Sequence, residues 1–376
     1  MEMLAERPLG IPLQMKKSRH RTVSLYDMTL DELTEWLVDR GYPAYRARQV
    51  FDGVYGQLVR GYDEIAVIPA RLRQQLTDEL PFATMETVNE VATQNRETVK
   101  SLYRTESGDL VETVLMLYRS RATVCVSCQV GCAVGCAFCA TGLMGLDRNL
   151  TTGEMVFQTI GAARAARDAG RALTNLVMMG MGEPFHNYPA TMKQLQILND
   201  PNGFGMGARR MTISTSGVVP FIDKLADEPL QVNLAISLHA PENELRSSLV
   251  PINRKHPIED LMAAVDRYTD KTKRRVSFEY ALMSGINDSD ETARDLAQLI
   301  KGRLCHVNII PLNPVDVLPY SRPTPERIER FAELTGSTGL PVTVRYSRGV
   351  DISAACGQLR VDHVTNEGAQ RIESVS

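Results

Sequence analysis

A chain of 376 residues with 43% hydrophobic and 23% charged residues has the makeup of an ordinary globular protein, long enough for one large α/β domain plus a smaller one. Its net charge of −3 does not advertise a nucleic-acid partner, so any RNA site has to be a local patch. The stretch Met1–Arg7 lacks a signal-peptide pattern, no run approaches a membrane span, and the seven cysteines are odd in number and bunched mainly between 125 and 139. That is not a secreted disulfide framework; a cytoplasmic protein without membrane contact is expected.

Residues 1–24 form a polar, basic lead-in, expected to be mobile. Thr29-Leu-Asp-Glu32 spells a capping box, Leu30, Leu33 and Leu37 repeat at helical spacing, and Gly41 supplies the stop. Two more helices are predicted over 44–55 and 69–80, making 25–84 a helical accessory domain. Its Arg46, Arg48, Arg60, Arg71 and Arg73 are either a phosphate-binding face or a solvated one. Residues 85–122 read as a β-hairpin extension turning at Ser107-Gly108-Asp109. From Thr123 onward strands alternate with helices, with strands predicted near 123–127, 176–179, 211–215, 231–237, 275–282, 306–310 and 342–346. Repeated βα units imply a parallel sheet closing into a full or partial barrel over 123–360, with the site at the carboxyl ends of the strands. The polar tail 361–376 is expected to be disordered.

The loop after the first barrel strand holds Cys132-Ala-Val-Gly-Cys136-Ala-Phe-Cys139. Three thiols at this spacing suit an iron–sulfur cluster with one iron left open, and also a zinc site whose fourth ligand comes from elsewhere. Gly182 and Glu183 follow the second strand, Ser214 lies in the third, Ser237-Leu238-His239 end the fourth and Asn313 follows the sixth. Each has a local alternative: a tight turn, a helix-capping serine, a satisfied histidine, an asparagine in a proline turn. Together, at successive strand ends, they fit a pocket for an amino-acid-plus-nucleoside ligand beside an open iron.

The cysteine triad with Gly-Glu-Pro resembles the radical S-adenosylmethionine (SAM) superfamily. Cys125-Val-Ser-x-Gln-x-Gly-Cys132, Phe138-Cys-Ala-Thr-Gly142, Arg148-Asn-Leu150, Met179-Gly-Met-Gly-Glu-Pro184, Ser237-Leu-His-Ala240 and Ala354-Ala-Cys-Gly-Gln358 resemble the RlmN and Cfr family, which methylates adenosine in RNA. The resemblance runs from about residue 27 to 360. It implies a partial (βα)6-type barrel with a small helical N-terminal domain and a connecting hairpin. It further implies a [4Fe–4S] cluster on Cys132, Cys136 and Cys139, and SAM bound by Gly182, Glu183, Ser214, Ser237, Leu238, His239 and Asn313.

Two more cysteines acquire roles through this resemblance. Cys356 matches the methyl-carrying cysteine and Cys125 the cysteine that closes the cycle, while Glu112 matches the proposed base. Unaided, Cys356 reads as an inert core thiol and Glu112, alternating with valines, as a solvent-facing strand residue. Cys128 departs from the serine usual in the family, and Cys305 reads as core. Two SAM molecules per turnover are implied. One methylates Cys356; the other is cleaved reductively, and the radical so formed takes hydrogen from the S-methyl group. The resulting carbon radical adds to adenine, Glu112 takes a proton, and Cys125 attacks Cys356 to release product and leave a disulfide. Carbon 2 of adenosine in 23S ribosomal RNA and in tRNA 3′ of the anticodon is the expected target; Cfr-type methylation of carbon 8 and a non-catalytic, zinc-stabilised RNA-binding protein are the alternatives. A flavodoxin-like electron donor and a monomeric state complete the expectation.

Overall fold

A computed structural model describes residues 22–315 and 317–359. The basic lead-in lies almost wholly, and the polar tail wholly, outside the described residues. In the N-terminal module α1 (Leu30–Val38) opens on the capping box: Glu32 N donates to Thr29 Oγ1 and Thr29 N to Glu32 Oε2. Leu30, Leu33 and Leu37 are buried. Helices α2 (Tyr45–Phe51) and α3 (Ala70–Glu79) complete the module.

The sheet begins with β1 (Met85–Ala92), β2 (Thr98–Thr105) and β3 (Leu110–Leu117), an antiparallel meander. The expected hairpin therefore gains a third strand. Its sequence hides it, because β1 is exposed along most of its length and shows no apolar alternation. Strand β4 (Ala122–Cys125) pairs antiparallel with β3 and starts the parallel part. The cysteine loop follows, with its own two-stranded sheet of β5 (Gln129–Gly131) and β6 (Leu146–Asn149) flanking the short α4 (Ala140–Met144).

Helix α5 (Thr152–Asp168) opens on a second capping box, Thr151 with Glu154. The chain then alternates: β7 (Asn175–Met178), α6 (Tyr188–Asn199), β8 (Met211–Thr215), α7 (Val219–Asp227), β9 (Asn233–Ser237), α8 (Asn243–Leu249) and α9 (Ile258–Thr272). It continues with β10 (Val276–Leu282), α10 (Asp290–Ile300), β11 (Cys305–Pro311), α11 (Pro325–Gly336) and β12 (Val342–Val344). The ten-stranded sheet runs β1-β2-β3-β4-β7-β8-β9-β10-β11-β12, parallel from β4 on. This is the α/β partial barrel expected, with β12 as a short strand beyond the sixth.

Strand periodicity separates core from site. On β10, Phe278 and Tyr280 join the main hydrophobic core while Glu279 and Ala281 face a cavity. The helical module docks on α5, where Gly153 N donates to Asp27 Oδ1 at 2.6 Å. A side chain on Gly153 would run into that carboxylate, since a Cβ there would lie 2.4 Å from Asp27 Oδ2. Arg164 of α5 reaches back to the carbonyls of Leu58 and Val59 and to the Tyr26 hydroxyl. The sheet curls: beyond β12, Arg348 pairs with Glu97 (2.7 Å) and donates to Leu117 O, while Lys100 of β2 donates to Ser353 O at 3.4 Å. The segment leaving the last strand thus returns to the antiparallel extension that begins the sheet.

Candidate active site

The carboxyl ends of the parallel strands surround a cavity with about 1000 Å³ of empty space out to its mouth. Cys132, Cys136 and Cys139 line one end of it. The loop that carries them is shaped by Gly131 (φ +75°), where a Cβ would lie 1.9 Å from Gly145 O; that close approach lets Cys132 N donate to the same carbonyl at 2.7 Å. Ala137 N donates to Leu249 O at the end of α8, and Ala140 N to Gly357 O at 2.8 Å. Thr141 Oγ1 donates to Leu359 O. The stretch around Cys356 is thereby pinned to the residues just after Cys139.

Burial pushes the three thiols up, and neighbouring thiols and Glu183 add to it at two of them, Cys132 rising to about 12 and Cys136 well above the usual range. Cys139 is raised by burial as well. Three thiolates gathered here need cationic partners. A cluster takes one thiolate per iron at separate corners, so ligands spread along a cavity wall fit it.

Glu183, 3% exposed, is the polar anchor. Its Oε1 accepts from Phe185 N and its Oε2 from Ser216 N and Oγ at 2.7 Å each. A carboxylate has about four acceptor positions, so one remains for a ligand donor such as an ammonium group. Gln129 fixes the turn by accepting from Glu183 N at 2.8 Å. Gly182 (φ +108°) has to be glycine: a Cβ there would sit 2.6 Å from Gln129 Cβ and 2.8 Å from Cys128 Sγ.

Ser214, Ser237 and His239 also line the cavity. His239 adopts φ +63° and its Nδ1 accepts from Ala281 N at 2.9 Å. That bond assigns the ring proton to Nε2. Burial, followed by the Arg246 charge, lowers its pKa to about 3, so the ring is neutral. Leu238 differs from its neighbours: its side chain is core, it does not line the cavity, and its backbone N donates to Glu279 O. Asn313 lines the cavity, with its amide committed: Nδ2 donates to Ser347 Oγ and Cys356 O, and Oδ1 accepts from Arg322. It tethers the Cys356 segment as well as facing the pocket.

Cys356 lines the cavity and is exposed at its edge, whereas Cys125 is buried in an apolar cluster with Ala354. Burial pushes the Cys125 thiol up, and Cys356 adds to the effect, while the Arg345 charge favours the thiolate at exposed Cys356. Glu112 is not solvent-facing. It is 5% exposed, and Lys100 Nζ lies 2.9 Å from its Oε1. Cys305 is core, as expected. In the helical module Arg46 and Arg73 spend donors on carbonyls of their own fold and Arg60 pairs with Asp168, leaving Arg48 and Arg71 exposed.

Gln129 and Ser216 stand in or beside the sequence motifs without a role of their own, and three site residues escape sequence reasoning altogether: Arg246, Lys100 and Glu279. The last is 4% exposed on the cavity wall; Asn308 donates to its Oε1, while Oε2 has no hydrogen bond among the described residues and lies 3.8 Å from Arg345. An orphaned buried acceptor facing a cavity suits a ligand rich in hydroxyl and amino donors.

Two family models match: the radical SAM superfamily over residues 126–297 and the ribosomal RNA large subunit methyltransferase N-terminal domain over 23–80. A curated relative from Chloroflexus aurantiacus, named probable dual-specificity RNA methyltransferase RlmN, is 49% identical over 350 residues, covering 90% of this chain and 93% of its own. One of the same name from Geobacillus kaustophilus is 47% identical over 337 residues, covering 90% and 92%. The crystal structure of a radical SAM methyltransferase from Sphaerobacter thermophilus superposes with a TM-score of 0.89 at 60% identity, over 90% of this chain and all of that one. The cysteine-lined cavity, the helical module and these matches make the chain a member of the RlmN family of radical SAM RNA methyltransferases, which use a [4Fe–4S] cluster and SAM.

Proposed function

We propose that this enzyme methylates carbon 2 of an adenosine in the peptidyl transferase centre of 23S ribosomal RNA and of the adenosine 3′ of the anticodon in tRNA. The methyl group travels by way of Cys356, and Cys125 closes the cycle. The observation that carries this reading is the pinning of the Cys356 segment to the cysteine loop through Ala140 N and Gly357 O, beside buried Cys125. Adenine carbons 2 and 8, flanked by ring nitrogens, are poor nucleophiles, so a thiol has to take the methyl first. Cys132, Cys136 and Cys139 hold the cluster, and Glu183 with Ser216 receives the amino-acid end of SAM. When bound, cluster and SAM supply a radical able to take hydrogen from an S-methyl group. The chain's own residues do the rest: Cys356 presents the carbon, Glu112 accepts the ring proton, and Cys125 forms a sulfur–sulfur bond as the bond from Cys356 sulfur to carbon breaks; the freed carbon takes a proton to complete the methyl group, and the odd electron left by radical addition would leave through the cluster.

Two SAM are used per turnover, and an external one-electron donor of flavodoxin type serves a monomeric enzyme. Arg322 and Arg345, exposed beside the Cys356 segment, suit RNA phosphates. The target base has to leave its stack to reach the sulfur, which favours an unpaired adenosine. The dual-specificity name of the relatives supports two RNA substrates. A zinc-stabilised binding protein gives no reason for Glu183, Cys125 and Cys356 to gather at one site. Nucleoside mass spectrometry of ribosomal RNA and tRNA from cells with and without the protein tests the reading. 2-Methyladenosine in both is expected; 8-methyladenosine alone overturns it.

Two further outcomes follow from the geometry. Glu183→Gln puts an amide where Ser216 donates, and SAM affinity is expected to fall roughly 10- to 100-fold, the worth of one charged hydrogen bond, as read by equilibrium binding. Lys100→Met removes the cation beside the Glu112 carboxylate and the donor to Ser353 O. Methylation is expected to slow by roughly 10²-fold, the low end for loss of proton-transfer assistance, with SAM affinity unchanged and partial recovery in Lys100→Arg. Single-turnover methylation assays beside SAM binding separate the two effects.

A further inference from the structure

Arg246 is the largest fully buried side chain among the described residues, with 0% exposure. Its guanidinium donates through Nε to Leu238 O (3.1 Å), through Nη1 to Asn253 Oδ1 (2.7 Å), and through Nη2 to Ser216 O (2.7 Å) and Ser237 O (3.1 Å). All four acceptors are uncharged. Carbonyl dipoles solvate the cation without cancelling its charge, and an uncompensated charge in a protein interior is costly. None of its direct partners carries a charge, so the balancing negative charge has to come from groups it does not touch: Glu183, which shares Ser216 with it, and the cysteine loop.

The helix that carries it shows where that charge sits. Leu249, one turn beyond Arg246 on α8 and on the same face, accepts from Ala137 N at 2.9 Å, a residue between Cys136 and Cys139. Leu249 and Val250 pack in one apolar cluster with Val134, against Cys132, Cys136 and Phe138. Helix α8 is thus the direct backing of the cysteine loop. Burial lowers the Arg246 pKa to about 10, which leaves it protonated at neutral pH, and Cys136 acts in the opposite direction.

Resting on the reading that Cys132, Cys136 and Cys139 hold the cluster, we propose that Arg246 is the cluster's built-in counter-cation. It is a fixed positive charge, set behind the cysteine loop by α8, that favours the reduced cluster and so raises its reduction potential. A three-thiolate [4Fe–4S] centre already carries net negative charge, and reduction adds one more unit; net charge is one of the levers on cluster potential. Arg246 touches neither thiols nor SAM in this scheme, so it is a positioning residue for charge. Its bonds to Ser216 and Ser237 carbonyls are a separate, structural task.

The test is an EPR-monitored redox titration of the reconstituted full-length enzyme without RNA, for wild type, Arg246→Gln, Arg246→Met and Arg246→Lys. Removing the charge is expected to lower the reduced-to-oxidised ratio at a fixed potential at least tenfold, a shift of 59 mV or more for one electron. Arg246→Lys is expected to retain most of the wild-type value. A purely structural tether lowers thermal stability and SAM affinity in Gln and Met variants but leaves the midpoint in place, and that result overturns the proposal. Should the neutral variants fold, by circular dichroism, yet fail to take up iron, loading restored by Arg246→Lys supports the counter-cation and loading not restored overturns it. Wild-type protein that shows no iron–sulfur absorption at all fails the underlying ligand assignment, which is a distinguishable outcome.

Discussion

Cys356→Ala is expected to lose RNA methylation altogether, by on the order of 10⁴-fold or more, as when a covalent nucleophile is removed. It is nevertheless expected to bind its cluster and still cleave SAM to 5′-deoxyadenosine and methionine. The cavity walls explain the split. Cys132, Cys136, Cys139, Glu183 and His239 all line the cavity without help from the Cys356 side chain. What disappears is the one sulfur at its edge. The segment itself stays anchored through backbone groups, Ala140 N to Gly357 O and Asn313 Nδ2 to Cys356 O, and neither bond involves the thiol. Radiolabelled methyl incorporation and chromatography of the cleaved nucleoside, run on one reaction, check both halves. Any retained methylation at wild-type rates refutes the carrier role.

Cys125→Ala is expected to give the opposite phenotype: chemistry that starts and cannot finish. Without the second sulfur nothing breaks the bond between Cys356 and the base, so enzyme and RNA remain covalently joined. A denaturing gel of the turnover mixture should show a protein–RNA band accounting for a large share of the enzyme. The band should vanish in the Cys125→Ala, Cys356→Ala double variant. Cys128 shares the buried cluster of Cys125 and is the candidate to replace it. It is 2% exposed, its backbone carbonyl is held by Asn187, and burial followed by the Glu183 charge disfavours its thiolate. Substitution is therefore expected to be slow, and the adduct should accumulate. A reaction mixture without adduct counts against Cys125 as the closing thiol.

Much of the scaffold was legible because local rules and tertiary structure agree. Thr29-Leu-Asp-Glu32 and Thr151-Thr-Gly-Glu154 announce helix starts, and both form as capping boxes. Buried parallel strands read as short apolar runs between helical patterns. Strand β1 escaped because an exposed strand carries no apolar signature. Glu112 was misjudged for a related reason: a carboxylate among valines looks solvent-facing until Lys100, from the neighbouring strand, is seen beside it. Arg246 sits in Asn-Glu-Leu-Arg-Ser-Ser-Leu, an ordinary amphipathic stretch, and nothing local says that its guanidinium turns inward to the carbonyls of Ser216, Ser237 and Leu238. The Glu183–Ser216 pair spans 33 positions and leaves no local pattern. Sequence spacing finds ligands carried on one loop; it does not find partners that only the curl of a sheet brings together.

The anchoring of the Cys356 segment bears on how such an enzyme is re-engineered. Arg348 and Ser353 fasten it to the antiparallel extension, Gly357 and Leu359 to the cysteine loop. The reactive sulfur is sewn across two margins of the same scaffold, like a hem stitched on both sides. Swapping the extension for another in the hope of redirecting the enzyme to a new transcript would also unpick the stitch, so target choice and methyl handling travel as a single inherited unit.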